Sequence, residues 1–285
     1  MSAADQLLVV IDPVARRIDG ESVRIAKDVL CAGAQAKICW PEGVEEFSRA
    51  LARRGSRRPV VVGDDRALLR TVTLLQRERD VCGDVCASAL AIVPVGTAPL
   101  VELARSLGVP TGAVAAARAV LDGSPHRLDL LVDDGGGVVL GDLCIPAPPP
   151  VVRPAAPTVW GTCRSLVRTL VRAPVPSAVA HRLRVEADGV LLSDLDRPVA
   201  GVSVGSGDGV AHVVVSRGGG VPGVRVLARA VTVSGAVSGD GFRYRAGQVV
   251  AGPVRTRTWT AGTWTLTLPG PHPAPSLNPP GVGGG

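Results

Sequence analysis

Aromatic side chains are scarce in this 285-residue chain: they make up 2% of it, although 46% of the residues are hydrophobic. Valine, leucine and alanine must therefore fill its cores. Lysine is nearly absent as well, because Lys27 and Lys37 are the only lysines and arginine carries almost all of the positive charge. The net charge of +6 favours anionic partners. The arginines are scattered, without a dense basic block or interleaved aromatic residues, so nucleic acid is not expected among those partners.

Long apolar runs are also missing. No stretch approaches the roughly 18 apolar residues that a membrane-spanning helix needs. The first residues, Met1 to Gln6, lack the positive charge that opens a secretory signal peptide. We therefore expect a soluble, cytoplasmic protein.

The cysteines give little indication of a metal site. Cys82 and Cys86 have an unusual spacing for zinc, and no second pair or nearby histidine completes four ligands. We expect free thiols and no metal site here, with zinc as the weaker alternative.

What the chain does have is a regular alternation of buried strands and helices through its first 124 residues. Continuous Val/Ile/Leu strands between helical patterns are typical of a parallel sheet that is covered on both faces. The sequence predicts a Rossmann-like parallel α/β domain over residues 1–124. The predicted strands cover residues 7–11, 36–40, 60–62 and 87–93, and the predicted helices cover 21–32, 44–54, 65–80, 100–107 and 112–121.

Past Gly123 the pattern changes to short strand-sized runs separated by glycine and aspartate turns. Their spacing predicts an antiparallel β-sandwich domain over residues 125–269. The Pro/Gly-rich residues 270–285 should form a disordered tail. The predicted strands cover 127–133, 138–140, 183–187, 190–192, 199–204, 210–216, 224–233, 242–244 and 256–268, with a proline-rich connection over 146–157 and a helix over 165–172. Gly205 to Gly209 imitates a phosphate loop but lies between two such runs, so we interpret it as a hairpin turn.

The main functional signal is the turn Pro94-Val-Gly96-Thr97, which follows an apolar run and precedes a helical pattern that ends at Gly108. At the carboxyl end of a strand in an open α/β sheet, such a turn lies where ligands bind. Glycine lets backbone N–H groups approach a phosphate closely, and the start of a helix favours negative charge. This turn is therefore a candidate phosphate-binding element.

This stretch resembles the diacylglycerol kinase catalytic family, lipid kinases that share their fold with NAD kinases. That family carries Pro-x-Gly-Thr-x-Asn-Asp, followed by a helix reading Ala-Arg-x-Leu-Gly-Ile-Pro. The matching residues are Pro94, Gly96, Thr97, Ala104, Arg105, Leu107, Gly108 and Pro110. Pro99 and Leu100 replace the Asn-Asp pair, and two extra residues precede Ala104. The order of the two domains is also similar to that of the family, whose active site lies in the cleft between them.

The resemblance implies a phosphate-binding loop after the third strand, where the family has Gly-Gly-Asp-Gly-Thr. The residues that stand there are Val62-Gly63-Asp64-Asp65-Arg66. Gly63 and Asp64 match the family, and the other three replace two glycines and the threonine. Side chains at these positions block close approach to a phosphate, and Asp65 adds like charge. Arg66 could offset that charge or bind phosphate itself.

The two aspartates also have a structural interpretation, in which they cap the helix that follows them. We prefer it for Asp65, and for Asp64 both interpretations stay open.

Two further family positions differ. Asp12-Pro13 keeps the proline of the family's Asn-Pro, but an ionised aspartate lacks the amide donor. We expect a turn there, with a metal ligand as the alternative. The family's Asp-Gly-Glu, whose glutamate is proposed as the base on the lipid hydroxyl, has Ala246-Gly247-Gln248 as its nearest counterpart. An amide cannot accept the proton, so the base is lost at that position.

The resemblance implies ATP and Mg²⁺ as cofactors, a nucleotide and a lipid or other anionic small molecule as partners, peripheral contact with a membrane, and a homodimer. The candidate catalytic residue is Asp64. The candidate cofactor-binding residues are Asp12, Pro13, Gly63, Asp65, Arg66, Pro94, Gly96 and Thr97.

Two functions stay open. One is an ATP-dependent lipid kinase that acts on a diacylglycerol or a similar lipid. The other is a catalytically degenerate relative that binds a nucleotide or lipid as a regulatory protein. Family resemblance favours the first, and the clustering of replacements on catalytic motifs favours the second.

Overall fold

The computed structural model describes residues 6–82, 89–147, 180–217, 222–236, 241–247 and 249–268. These residues form two compact units. The first unit contains the chain up to Leu128 and also the segment that begins at Trp264, and the second contains Asp129 to Thr263. The chain therefore returns to the first unit at the end of its last strand. There Leu90 exchanges backbone hydrogen bonds with Thr265 and Thr267, at 3.0 and 2.7 Å.

The first unit is built on a four-stranded parallel sheet, so the predicted parallel α/β fold is confirmed. Its strands are β1 (Gln6–Ile11), β2 (Gln35–Cys39), β3 (Arg58–Gly63) and β4 (Ala91–Pro94), in the order β2-β1-β3-β4. Its helices are α1 (Pro13–Ile18), α2 (Gly20–Gly33), α3 (Val44–Ala52), α4 (Asp65–Cys82), α5 (Glu102–Ser106) and α6 (Ala113–Asp122). β1, β3 and β4 are almost wholly buried, as their continuous apolar sequences require, whereas β2 is an edge strand with exposed positions.

Two local features differ from the sequence-based prediction. Helix α1 replaces the turn expected at Asp12-Pro13, because Asp12 caps the helix and Pro13 suits its first position. The single helix predicted over residues 100–107 is instead a short 3₁₀ turn, Ala98–Leu100, followed by the five residues of α5. The N–H groups of Leu103 and Ala104 donate to the Asp65 carboxylate, as orphan donors in the first turn of a helix do, and α5 begins at Glu102.

The second unit consists of two six-stranded antiparallel sheets, which confirms the predicted β-rich domain. One sheet has the order β12-β11-β10-β7-β14-β15, and the other has the order β6-β5-β16-β13-β8-β9. The strands are β5 (Ser124–Asp133), β6 (Val138–Val139), β7 (Leu143–Ile145), β8 (Leu183–Ala187), β9 (Val190–Ser193), β10 (Gly201–Gly207), β11 (Val210–Ser216), β12 (Val224–Ala228), β13 (Ala230–Gly235), β14 (Phe242–Ala246), β15 (Val249–Val254) and β16 (Thr256–Leu268). Side chains from both sheets form one core, in which Tyr244 meets Trp259 edge to face with ring centroids 5.1 Å apart.

The prediction of a single strand over residues 224–233 is wrong. It is two strands, β12 and β13, which belong to different sheets. The chain crosses from one sheet to the other at Arg229, where the Asp188 carboxylate accepts the N–H groups of Arg229 and Ala230 at 3.0 and 2.9 Å. The expected hairpin between β10 and β11 is confirmed. Its two turn residues, Asp208 and Gly209, have positive φ, as a turn of this kind requires.

Several predictions fall outside the described residues: the helix over 165–172, the proline-rich connection beyond Ala147, Cys86 and the tail over 270–285. Cys31, Cys39 and Cys144 are free thiols. Among the helices of the described chain, none has the length and apolar character needed to cross a membrane.

Trp259 should dominate the stability of the second unit, because it is fully buried in its core. We expect Trp259→Ala to lower the free energy of unfolding by about 3–5 kcal/mol. Trp259→Phe should cost clearly less, because the indole Nε1 has no hydrogen-bond partner among the described residues and nothing polar is left behind. Urea unfolding measures both changes. Leu227→Ala, at a position 64% exposed, is the control and should stay within about 0.5 kcal/mol of wild type. Equal losses for the alanine and phenylalanine variants would contradict this account.

Candidate functional site

The candidate residues meet at the carboxyl ends of β1, β3 and β4. The chain order reverses between β1 and β3, and ligands bind at such a switch point in open α/β sheets. The Asp12 N–H donates to the Val62 carbonyl, and the Val95 N–H donates to the Gly63 carbonyl, both at 2.9 Å. A Cβ on Gly96 would lie 3.8 Å from the Cβ of Asp64. Three motifs that are distant in sequence thus form one group, which we call the carboxyl-edge site.

Asp12 is a buried, paired charge at the start of α1. It is 2% exposed. One carboxylate oxygen accepts the Val14 N–H at 3.0 Å, and the other lies 3.1 Å from Nη1 of Arg70. The Arg70 guanidinium also lies over the ring of Phe47, 5.5 Å from its centroid. Sequence analysis missed Arg70, because one arginine on a helix with several gives no signal that its partner lies 58 residues earlier.

Close packing explains why position 63 is a glycine. A Cβ at this position would lie 2.7 Å from the Cβ of Ala67 and 3.1 Å from that of Asp12. Contacts this short require the backbone to shift, so only glycine lets β3 pass this closely to α4 and the end of β1.

Asp64 and Asp65 both serve as helix caps, but of different helices. Asp64 accepts the N–H groups of Arg66 and Ala67 at 3.1 and 3.0 Å and so caps α4. The preferred interpretation of Asp65, that it caps the helix that follows it, is wrong. Its carboxylate accepts the N–H groups of Leu103 and Ala104 at 2.7 and 2.9 Å, and so it ties α4 to the start of α5.

Burial raises the pKa of the Asp65 carboxyl above its ordinary value. The side chain is 8% exposed, so the charged form loses most of its hydration. The hydrogen bonds from the N–H groups of Ala104 and Leu103 lower this pKa, whereas the nearby negative charges of Asp64 and Glu102 raise it further.

Free hydrogen-bond donors remain in the turn after β4. Pro94 is the last residue of β4, and Gly96 has φ +152°, which favours glycine. The Leu100 N–H closes the turn on the Thr97 carbonyl at 2.8 Å. Within the described chain, the N–H groups of residues 96–98 have no acceptor. Arg66 is exposed at the start of α4 and forms no ion pair with any described residue. These donors could hold a small anion.

The residues present do not fit the Mg²⁺ that the resemblance implies. Carboxylate oxygens are the ligands that Mg²⁺ prefers, but both oxygens of Asp12 and both oxygens of Asp65 are already held by backbone N–H groups or by Arg70. Among these three side chains only one oxygen, Oδ2 of Asp64, accepts no hydrogen bond from a described residue. In the part of the chain that the structure describes, no group of three or more His, Cys, Asp or Glu side chains is arranged to hold a metal ion. Gln248, the nearest counterpart of the family's base, lies outside the described residues.

Solved structures share this fold. Two structures described as "a putative diacylglycerol kinase" from Bacillus anthracis str. Sterne match 94% of this chain and 98% and 96% of their own, with a TM-score of 0.68 and identities of 16% and 15%. A third, described as diacylglycerol kinases from the same organism, has a TM-score of 0.64, 14% identity and coverage of 94% of this chain and 98% of that one. No family model matches the chain, and no curated protein matches it. At such identities the likeness shows the fold, and the expected diacylglycerol kinase-like fold is confirmed.

Asp65→Asn should destabilise the first unit, because the two N–H groups are accepted by different carboxylate oxygens and asparagine has an NH₂ donor in place of one of them. We expect a loss of about 1–2 kcal/mol in the free energy of unfolding. The loss should depend on pH. Because the folded protein raises the pKa of Asp65 above 3.8, the native state binds the proton more tightly than the unfolded state. The advantage of wild type over Asp65→Asn is therefore largest at acid pH and falls as pH rises through the raised pKa.

Urea unfolding of both proteins between pH 4 and 7 measures this difference. Asp80→Asn is the matched control, since Asp80 is exposed and accepts a hydrogen bond from Gln76 on the same helix. An advantage of wild type that grows with pH would contradict the expected sign.

Proposed function

We propose that this chain binds a nucleotide at the carboxyl-edge site and that its transfer of a phosphoryl group from ATP to a lipid hydroxyl is absent or very low. One observation carries the proposal: Asp64 and Asp65 both use their carboxylates as acceptors for backbone N–H groups. The loop in the position of a phosphate loop thus holds two buried negative charges. Its closest N–H donors, those of Arg66 and Ala67, are already occupied.

Both the buried negative charges and the occupied N–H groups oppose the binding of a phosphate at this loop. It has to displace a carboxylate to reach the N–H groups at the start of α4, and it is repelled by the charges that stay. The donors that remain include the N–H groups of residues 96–98 and the guanidinium of Arg66, which suits phosphate through its paired N–H groups. This arrangement supports binding that is weak and salt-dependent.

Phosphoryl transfer makes further demands. It needs a loop that holds the donor phosphates, a means of neutralising charge, and a group that orients the acceptor hydroxyl. Pro99 and Leu100 stand where the family has its Asn-Asp pair, and neither side chain can ligate or accept a proton. Asp65 and Arg66 replace a glycine and a threonine of the loop. These replacements together support a protein that binds without turnover.

The second candidate is an ATP-dependent lipid kinase. It is favoured by the fold shared with structures described as diacylglycerol kinases, and Asp64 would be its retained acidic residue.

Transfer of radiolabelled phosphate from ATP to diacylglycerol in mixed micelles distinguishes the two candidates. At high protein concentration and with Mg²⁺ in the buffer, we expect no phosphatidic acid above the protein-free blank. Robust product formation that is abolished by Asp64→Asn would establish the kinase instead. Asparagine keeps an acceptor for the cap of α4 and removes only the charge, so loss of activity could not be attributed to loss of the helix.

Arg66 should be the principal side-chain contact for the nucleotide. Titration calorimetry with ATP should show about a tenfold loss of affinity for Arg66→Ala, as expected for a hydrogen bond between charged groups. Arg118→Ala, an exposed arginine on α6 of the same unit, is the matched control and should bind ATP like wild type. If Arg66→Ala binds as tightly as wild type, Arg66 is only a surface residue at the start of a helix.

A further inference from the structure

A second polar concavity lies at the β2 edge of the parallel sheet, between strand β2 and helix α3. We call it the β2–α3 groove. It has a volume of about 340 Å³, and its polar and aromatic lining consists of Lys37, Cys39, Trp40, Glu46, Arg49 and Arg53. Pockets of roughly 300 Å³ and above accommodate small-molecule ligands.

Unpaired positive charge is concentrated in this groove. Lys37 projects from β2. Arg49 lies in the last turn of α3, and Arg53 follows four residues later at the C-cap of that helix. None of the three forms an ion pair with a described residue. Glu46 is the opposing charge in the lining, and its carboxylate accepts the Glu42 N–H at 2.9 Å. Three cations facing one engaged carboxylate repel one another, and a ligand with two or more negative charges relieves that repulsion.

Trp40 adds an aromatic surface, and it is unusual in this chain. It is 44% exposed. The other aromatic side chains in the described part are all buried, at Phe47, Phe242, Tyr244, Trp259 and Trp264. An exposed indole offers a flat apolar face on which a planar ring can stack. In a protein so poor in aromatic residues, its position beside three unpaired cations indicates a ligand that is both planar and anionic.

The groove shares no residue with the carboxyl-edge site. Val10 of β1 pairs with Cys39 of β2, so Trp40 follows the end of the outermost strand. Asp64, Arg66 and Gly96 follow β3 and β4, on the opposite side of β1. The two sets of residues can therefore be changed independently.

We propose that the β2–α3 groove is a binding site for a nucleoside polyphosphate, distinct from the nucleotide site proposed above. Lys37, Arg49 and Arg53 hold the phosphate groups, and the base stacks on the indole of Trp40. Such a ligand would engage both the cations and the indole, none of which has an ion pair or ring contact with another described residue.

Titration calorimetry on the full chain tests this, with ATP and inorganic pyrophosphate as probes and EDTA present. We expect Arg49→Gln/Arg53→Gln to lose ATP affinity about tenfold or more, because two charge-assisted contacts are removed. Trp40→Ala should weaken ATP binding several-fold and leave pyrophosphate binding unchanged. The matched control is Arg118→Gln/Arg225→Gln, which removes the same charge from exposed arginines elsewhere and should bind ATP like wild type. ATP affinity in Arg49→Gln/Arg53→Gln equal to wild type would overturn the proposal.

Alkylation of cysteine supplies a readout that needs no variant. Cys39 lines the groove, whereas Cys31 is exposed on α2, away from it. Saturating ATP should slow the reaction of Cys39 with iodoacetamide, followed by peptide mass spectrometry, and leave that of Cys31 unchanged. Equal rates at Cys39 with and without ATP would overturn the proposal. If ATP protects Cys39 no better than Cys31 and Arg49→Gln/Arg53→Gln binds ATP like wild type, while Arg66→Ala still weakens ATP binding, the groove alone is rejected. If the groove variant and Cys39 respond as expected but Arg66→Ala binds ATP like wild type, the carboxyl-edge site alone is rejected.

Discussion

Backbone N–H groups at the start of a helix have no acceptor within that helix, and burial makes an unpaired donor costly. At the carboxyl edge of the parallel sheet this constraint is met three times by aspartate, through Asp12, Asp64 and Asp65. Asp65 also connects two helices, because its carboxylate belongs to α4 and the N–H groups that it accepts belong to α5. The arrangement of helices around the edge of the sheet depends on these three carboxylates.

The same contacts limit what the edge can bind. Oriented N–H groups beside a helix start are the usual means by which an α/β protein holds phosphate. Here carboxylates of the chain itself already occupy the donors at the start of α4, and they bring negative charge with them. Only the charge of Asp12 is paired within this group, by Arg70. Stability and anion binding thus compete for the same backbone groups.

Positive charge is instead found where no carboxylate neutralises it. Arg66 at the carboxyl-edge site, and Lys37, Arg49 and Arg53 in the β2–α3 groove, are exposed cations that form no ion pair with a described residue. The scarcity of aromatic residues makes the groove stand out further. The buried aromatics serve the cores, as Tyr244 and Trp259 do in the second unit, whereas the Trp40 indole is 44% exposed beside those charges.

Local patterns in the sequence determined much of the fold. Continuous apolar runs identified β1 and β3 because a strand buried on both faces has no polar alternation, and the Asp208–Gly209 hairpin followed from residues that tolerate positive φ. Only the tertiary structure decided which backbone groups Asp65 accepts, because its donors lie 38 and 39 residues away. It also decided that Arg70 neutralises Asp12, and that the run over residues 224–233 divides between two sheets at Arg229, where Asp188 supplies the acceptor. The physical reason is the same in each case: propensity and periodicity act between near neighbours, whereas a carboxylate binds whichever donor the folded chain brings within about 3 Å.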